Sequence, residues 1–299
     1  MWKNKIFLSA IIILTLAALL GSRYLFIRLK HTGSVQGAIF QVQAPEPVEA
    51  VGFEYGDLIK LALGQNKSFA GLPGGQIGVT SHHLPVAVSL IAHLYNTLTQ
   101  ANSPTTTIVI IGPDHFEHCK RAASTTRRPF YTPFGILSSN NGIIDDLEKN
   151  AGVAEIDGCF NGEHSIGVHS MFVKLLYPNS TIVPIIYSSA APDSEVKKIA
   201  EVLSKYKNEI TVIVSVDFSH YQSATVANQL DADSGVMIKN LDGGGLALRY
   251  LDSPASIKTA IALAKLWNLK PYMLKHANSS DFTGQSVNTT GYWDIVFAL

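Results

Sequence analysis

The sequence predicts an α/β protein: a single three-layer domain with a mostly parallel central sheet, preceded by an N-terminal transmembrane helix. Three observations carry that expectation. From about Gly52 onward, short apolar runs alternate with longer amphipathic ones, the order in which strands and helices form a parallel sheet covered on both faces. The run Ile108 to Ile111 is wholly apolar and β-branched and is closed by Gly112 and Pro113, as in a strand buried on both sides. The stretch "IFLSAIIILTLAALLG", Ile6 to Gly21, is almost uninterruptedly apolar and, extended by "YLFI", approaches the roughly 20 residues that a bilayer requires.

Taken in order, residues 1–30 read as a membrane anchor and residues 31–51, with "QAPEPVEA", as a linker. Lys3 and Lys5 precede the apolar run while Arg23, Arg28 and Lys30 follow it. That balance leaves the positive-inside comparison almost even, and the very short N-terminal tail favours a single-pass protein with an extracytoplasmic catalytic domain. Residues 52–299 then form the α/β domain. "QIGVTS" reads as a strand, Pro85 to Gln100 as a helix, and "TTTIVIIG" and "STIVPIIY" as strands. The pattern Ser194 to Tyr206 is helical, "EITVIVSVDFS" is a strand, Ser256 to Leu266 is helical, and "SVNTTGYWDIVFAL" supplies one or two final strands. No internal repeat or low-complexity tract interrupts the series.

The chain has 299 residues with 23 basic and 23 acidic side chains, a balance without the basic excess that nucleic acid would favour. Its two cysteines, Cys119 and Cys159, match neither a zinc knuckle nor a CxxC pair. The expected state is two unpaired thiols, with a single bridge as the alternative in an oxidising compartment. The run Gly243 to Gly245 has no preceding strand and no phosphate-loop lysine, so it reads as a hinge or turn.

Polar chemistry collects where strands end. "IGVTSHH" ends in His82 and His83, "IVIIGPDH" in His115 and "VIVSVDFSH" in His220. A parallel sheet brings such carboxyl ends to one cleft, and imidazole is the commonest metal ligand. Asp114 and Asp217 are placed either to orient these rings or to cap the following segment. "GEHSIGVHSMFVKLL" adds Glu163, His164 and His169 at the start of a helical pattern, where Glu163 also reads as a charge favoured by the helix dipole. His83, His93 and His276 have plain structural readings.

Four motifs in order, "IIGPDHF", "EHSIGVH", "SVDFSHY" and "GYWDIVFA", resemble the MEMO family, also called AmmeMemoRadiSam system protein B, from roughly Gly75 to Leu299. That family is similar in fold to class III extradiol dioxygenases, whose non-haem iron is held by two His and one carboxylate. The resemblance implies that His82 and His115 are metal ligands and that His220 is a weak ligand or an acid/base. Family members commonly carry a Cys as the last ligand, and this chain has no Cys after Cys159. Aligning "YLDSPASIKTAIALAKL" with that segment puts Asp252 at the Cys position, with Asp242 in reserve. A set of His82, His115 and Asp252 would be a two-His, one-carboxylate face suited to Fe(II), with Zn(II), Mn(II) or copper as alternatives. His164 and Glu163 would line the same cleft. The implied activities are a metal-dependent oxidoreductase of dioxygenase type, a non-catalytic protein holding a metal, small-molecule or peptide ligand, and a metallohydrolase.

Overall fold

In the computed structural model, residues 45–69, 71–72, 74–101 and 106–299 are described. Strand β1 (Val48–Glu49) leads into helix α1 (Gly56–Gln65), then β2 (Gly75–Thr80), α2 (Val88–Ala101) and β3 (Thr107–Pro113). Three short strands follow, β4 (Ala123–Thr125), β5 (Phe130–Thr132) and β6 (Gly135–Leu137), then α3 (Asn141–Ala151), β7 (Ala154–Glu155) and α4 (His164–Leu176). The remainder runs β8 (Thr181–Tyr187), α5 (Asp193–Ser204), β9 (Ile210–Ser215), α6 (Ala224–Lys239), α7 (Pro254–Trp267), β10 (Lys270–Asn278), α8 (Ser280–Thr283) and β11 (Gly291–Ala298).

Local sequence explains the helix limits. The Asn140, Ser223 and Ser253 side chains accept the first free backbone N–H groups of α3, α6 and α7. Gly152 and Asn268 close α3 and α7 in the left-handed conformation.

The main sheet has eight strands in the order β10-β11-β2-β9-β3-β8-β4-β7. Its centre, β2-β9-β3-β8, is parallel, as the continuous apolar runs require. The flanks are not: β10 pairs antiparallel with β11, β11 with β2, and β4 with β8. This corrects the expected mostly parallel sheet, which is mixed. The reason is covalent reach, because the chain from β10 to β11 contains only the one-turn α8 and parallel neighbours need a longer crossover. A separate sheet, β1-β5-β6, holds the start of the described chain against Phe130 and Tyr131.

Side chains of β3 alternate between two cores. Val109 and Ile111 join Ile144, Leu203, Ile257 and Leu263 on one face; Ile108 and Ile110 join Leu90, Leu94, Ile166 and Phe172 on the other.

The predicted anchor over residues 1–30 lies outside the described residues. Among those described, no helix is long and apolar enough to cross a membrane. The longest, α6, has 16 residues and includes Asp231 and Asp233, short of the roughly 20 apolar residues that a span needs. The expectations of a membrane partner and of a single-pass, extracytoplasmic placement are corrected accordingly. The cysteine reading also changes: Cys119 and Cys159 are joined in a disulfide across a separation of 40 residues.

Candidate metal centre

Three adjacent parallel strands deliver the centre. Thr80 of β2 lies beside Ser215 of β9, and Val214 beside Ile111 of β3, so the segments carrying His82, Asp217 and His115 emerge side by side. Asp252 arrives from the loop before α7. It is pinned reciprocally: its N–H donates to the Asp217 carbonyl, and the Asp217 N–H donates to Asp252 Oδ2, both at 3.1 Å.

The donors face one another. His82 Nε2 lies 3.3 Å from Asp252 Oδ2 and 3.7 Å from Asp217 Oδ2, and His115 Nε2 lies 3.8 Å from the same Asp252 oxygen. The His164 ring stacks on His115 with centroids 3.9 Å apart and meets His82 edge-on at 5.0 Å. Among the described residues, two groups have the spacing to hold an ion, His82–His115–His164 and His82–Asp217–Asp252, and they share His82. The predicted set His82, His115 and Asp252 draws on both. His220 stands at the edge, its Nε2 4.0 Å from Asp217 Oδ2 and its Nδ1–H donating to the Phe218 carbonyl.

Outer contacts fix the rings. His82 Nδ1 bonds to Ser215 Oγ at 2.8 Å. Glu163 is fully buried and accepts from both the backbone N–H and Nδ1–H of His115, at 3.0 and 2.8 Å, while also capping α4 through Ser165 N. One carboxylate therefore both caps α4 and holds the His115 ring. These bonds direct the Nε2 atoms of both histidines towards the carboxylates, the arrangement that orients imidazole ligands in metal sites. Gly112 lets β3 approach α4 closely, since a Cβ there would come 2.7 Å from Ser165 Cβ and Oγ.

Electrostatics follow from the grouping. Burial alone would lower the His82 pKa, but Asp217, then Asp252 and Glu163, raise it to about 9. Burial also opposes ionisation of Glu163, yet its bond and ion pair with His115 bring it down to about 2. His164 falls to about 4 through burial and the neighbouring charges of His82 and His115. Asp217 is held below its ordinary range against burial, chiefly by His82 and His220. One oxygen of each acid, Asp217 Oδ1 and Asp252 Oδ1, is buried without a hydrogen-bond partner. Such oxygens are costly in a folded protein and are expected where a cation completes them.

The centre opens into a cleft of about 640 Å³ lined by, among others, Tyr55, His82, His83, His115, His164 and His220. Asp242 lies apart, exposed in a turn where it accepts from Gly244 N. His169 is buried and bonded to the Tyr95 hydroxyl. Asp114 accepts from His118 N and Cys119 N, and Glu117 accepts from Ser189 N, so both organise loops. Sequence reasoning gave Asp217 only an orienting or capping part, and it missed Ser215 and the bond between Tyr292 and His83 at the cleft wall. For Asp217 the available signal was its position two residues past a strand end; Ser215 and Tyr292 carried none.

The family model described as "Memo-like protein" matches residues 79–296. A MEMO1 family protein of Sulfurisphaera tokodaii is 32% identical over 218 residues, 69% of this chain and 76% of the relative. Another, from Methanopyrus kandleri, is 28% identical over 74% of this chain and 82% of its own. Among solved structures, the uncharacterized protein JW3007 of Escherichia coli K12 is a weak likeness, with a TM-score of 0.43 and 12% identity over 74% of this chain and 98% of that one.

Proposed function

This chain belongs to the Memo-like protein family, and on that premise we propose that it is a metal-dependent oxidoreductase of extradiol-dioxygenase type, with Fe(II) as its working ion. The observation that carries the reading is the convergence of His82 and His115 Nε2 on one Asp252 oxygen, beside buried carboxylate oxygens that lack partners. Two neutral imidazoles and a carboxylate on one face suit a non-haem ferrous ion and leave other positions open. Asp217 and His164 are close enough to complete the set, and His220 is a weak ligand or none.

A bound ferrous ion would supply positive charge and exchangeable positions at which an oxygen-bearing substrate and dioxygen meet. The protein's own groups supply the rest. His220 holds its Nδ1 proton on the Phe218 carbonyl, so its Nε2 acts as the acceptor for a substrate hydroxyl proton and later returns it. His164, kept neutral near pH 7 by its lowered pKa, lines the cleft as a hydrogen-bonding wall. Glu163 holds His115 in one tautomer. The substrate class is an enolic or phenolic oxygen compound small enough for the cleft.

The test is metal content of the full-length chain purified anaerobically, beside His115→Ala and Asp252→Ala, followed by oxygen uptake with catechol. Near-stoichiometric iron lost in both variants, with uptake abolished in His220→Ala while iron stays bound, is expected. Iron retained in both ligand variants, or no metal under any loading condition, overturns the proposal. Iron without oxygen uptake on any phenolic probe leaves a metal-binding protein and removes the oxidoreductase.

A further inference from the structure

We infer that the Cys119–Cys159 disulfide is a positioning device of the metal centre, so that breaking it weakens ion binding while the fold persists. The inference rests on the metal-centre reading above. Cys119 lies four residues after His115, and Cys159 four residues before Glu163. Their Cα atoms are 5.4 Å apart across the bond. At the other end of the same two segments, Glu163 accepts the paired hydrogen bonds from His115. The segments are therefore joined twice, by sulfur at one end and by the ligand-orienting contact at the other.

Both segments are stiff enough to transmit the constraint. In the first, the Asp114 carboxylate accepts from His118 N at 3.3 Å and Cys119 N at 3.0 Å, and Asp114 N donates to the Tyr187 carbonyl at 2.7 Å. In the second, Asp157–Phe160 forms a turn of 3-10 helix, and Glu163 N donates to the Phe160 carbonyl at 3.3 Å. Neither segment belongs to a strand of the main sheet, because β3 ends at Pro113 and α4 begins only at His164. Without the sulfur bond, the two segments are held to each other by hydrogen bonds and ring stacking, beside the packing of α4 on β3.

Cleavage by a dithiol is balanced within the pair. One reductant thiolate attacks a cysteine sulfur and forms a mixed disulfide; its second thiol displaces that sulfur. Two electrons and two protons pass to Cys119 and Cys159, which leave as thiols, and the reductant becomes a cyclic disulfide. Both cysteines are buried, which slows the attack, so the test uses variants in place of reductant.

The experiment measures Zn²⁺ binding by calorimetry in the full-length chain: oxidised, and as the double variant Cys119→Ser/Cys159→Ser, which cannot capture zinc through freed thiols. Arg127→Ala is the control, because Arg127 ties Asp145, Glu148 and Glu155 together nearby and touches none of the donors. The expected result is a Kd raised about 10–100-fold, the usual consequence of losing an outer support, in the double variant, where neither freed thiols nor reductant compete for zinc. Circular dichroism should stay native, and Arg127→Ala should lose stability with little change in Kd. A double-variant Kd equal to that of the oxidised protein, equal weakening in Arg127→Ala, or free thiols by mass spectrometry of the isolated protein would overturn the inference. Failure of the oxidised protein to bind zinc at all is a different result: it removes the metal-centre reading, and this inference with it.

Discussion

At the scale of single residues, His82 is where a bound cation would compete with a proton for one place. Its pKa is raised from 6.5 to about 9 because Asp217 and Asp252 outweigh burial. The metal-free protein therefore draws stability from protonated His82 that is complete below pH 6.5 and is lost as pH rises through about 9. Ion binding needs the bare Nε2, so affinity runs the other way over the same window. Zn²⁺ titrations at stepped pH should show Kd falling from pH 6.5 to 9, whereas a flat profile would mean that His82 is not a donor. Glu163→Gln tests the supporting layer, since it puts a neutral amide against two N–H groups of His115. Ion affinity should fall about 10–100-fold, and an unchanged Kd would show that His115 needs no such support. His82, His115 and His220 were legible in the sequence because each follows a strand end, and His164 because it opens a helical pattern. Asp217 was legible as a residue but ambiguous in role, because a carboxylate after a strand caps a loop as readily as it binds a cation. Ser215 and Tyr292 were invisible, since a hydroxyl's partner is settled only by pairings between distant segments.

At the scale of elements, the centre depends on how closely β3 and α4 approach. Gly112→Ala would drive a methyl into Ser165, next to the Glu163 cap. Overpacking of this kind costs about 1–3 kcal/mol, and here it also displaces Glu163 from His115. Urea denaturation should show the loss, with a parallel drop in ion affinity; a fully tolerated alanine would mean that α4 can shift without consequence. The disulfide makes a second contribution at this scale. Closing a loop of 40 residues lowers the entropy of the unfolded chain by an amount worth about 4 kcal/mol, so the double serine variant should unfold at markedly lower urea. The central strands could be read from the sequence because burial on both faces leaves a continuous apolar run. Strand order and the antiparallel flanks could not, since β2 and β9 are neighbours despite more than a hundred intervening residues. The cysteine pairing was equally hidden, because a spacing of 40 residues says nothing about proximity.

At the scale of the whole molecule, the donor cluster works against the stability that the two cores supply. Asp217 and Asp252 are confined at one end of the sheet, each with a buried unpartnered oxygen, and in the metal-free protein the proton on His82 is the charge that holds them together. Asp252→Asn removes one acid and leaves the rest of the sheet unchanged. Below pH 6.5 the metal-free variant should melt lower than the parent, because protonated His82 loses a partner. Above pH 9 it should melt higher, because the parent then confines two carboxylates with no proton between them. The two melting curves should cross within that window. Zn²⁺ at about 100 times its Kd should add about 2.7 kcal/mol to the parent, a rise of about 5–10 °C for a domain of this size, and should barely move the variant. Curves that stay parallel, with zinc raising both proteins equally, would mark Asp252 as an ordinary structural acid and shift the donor set to His82, His115 and His164.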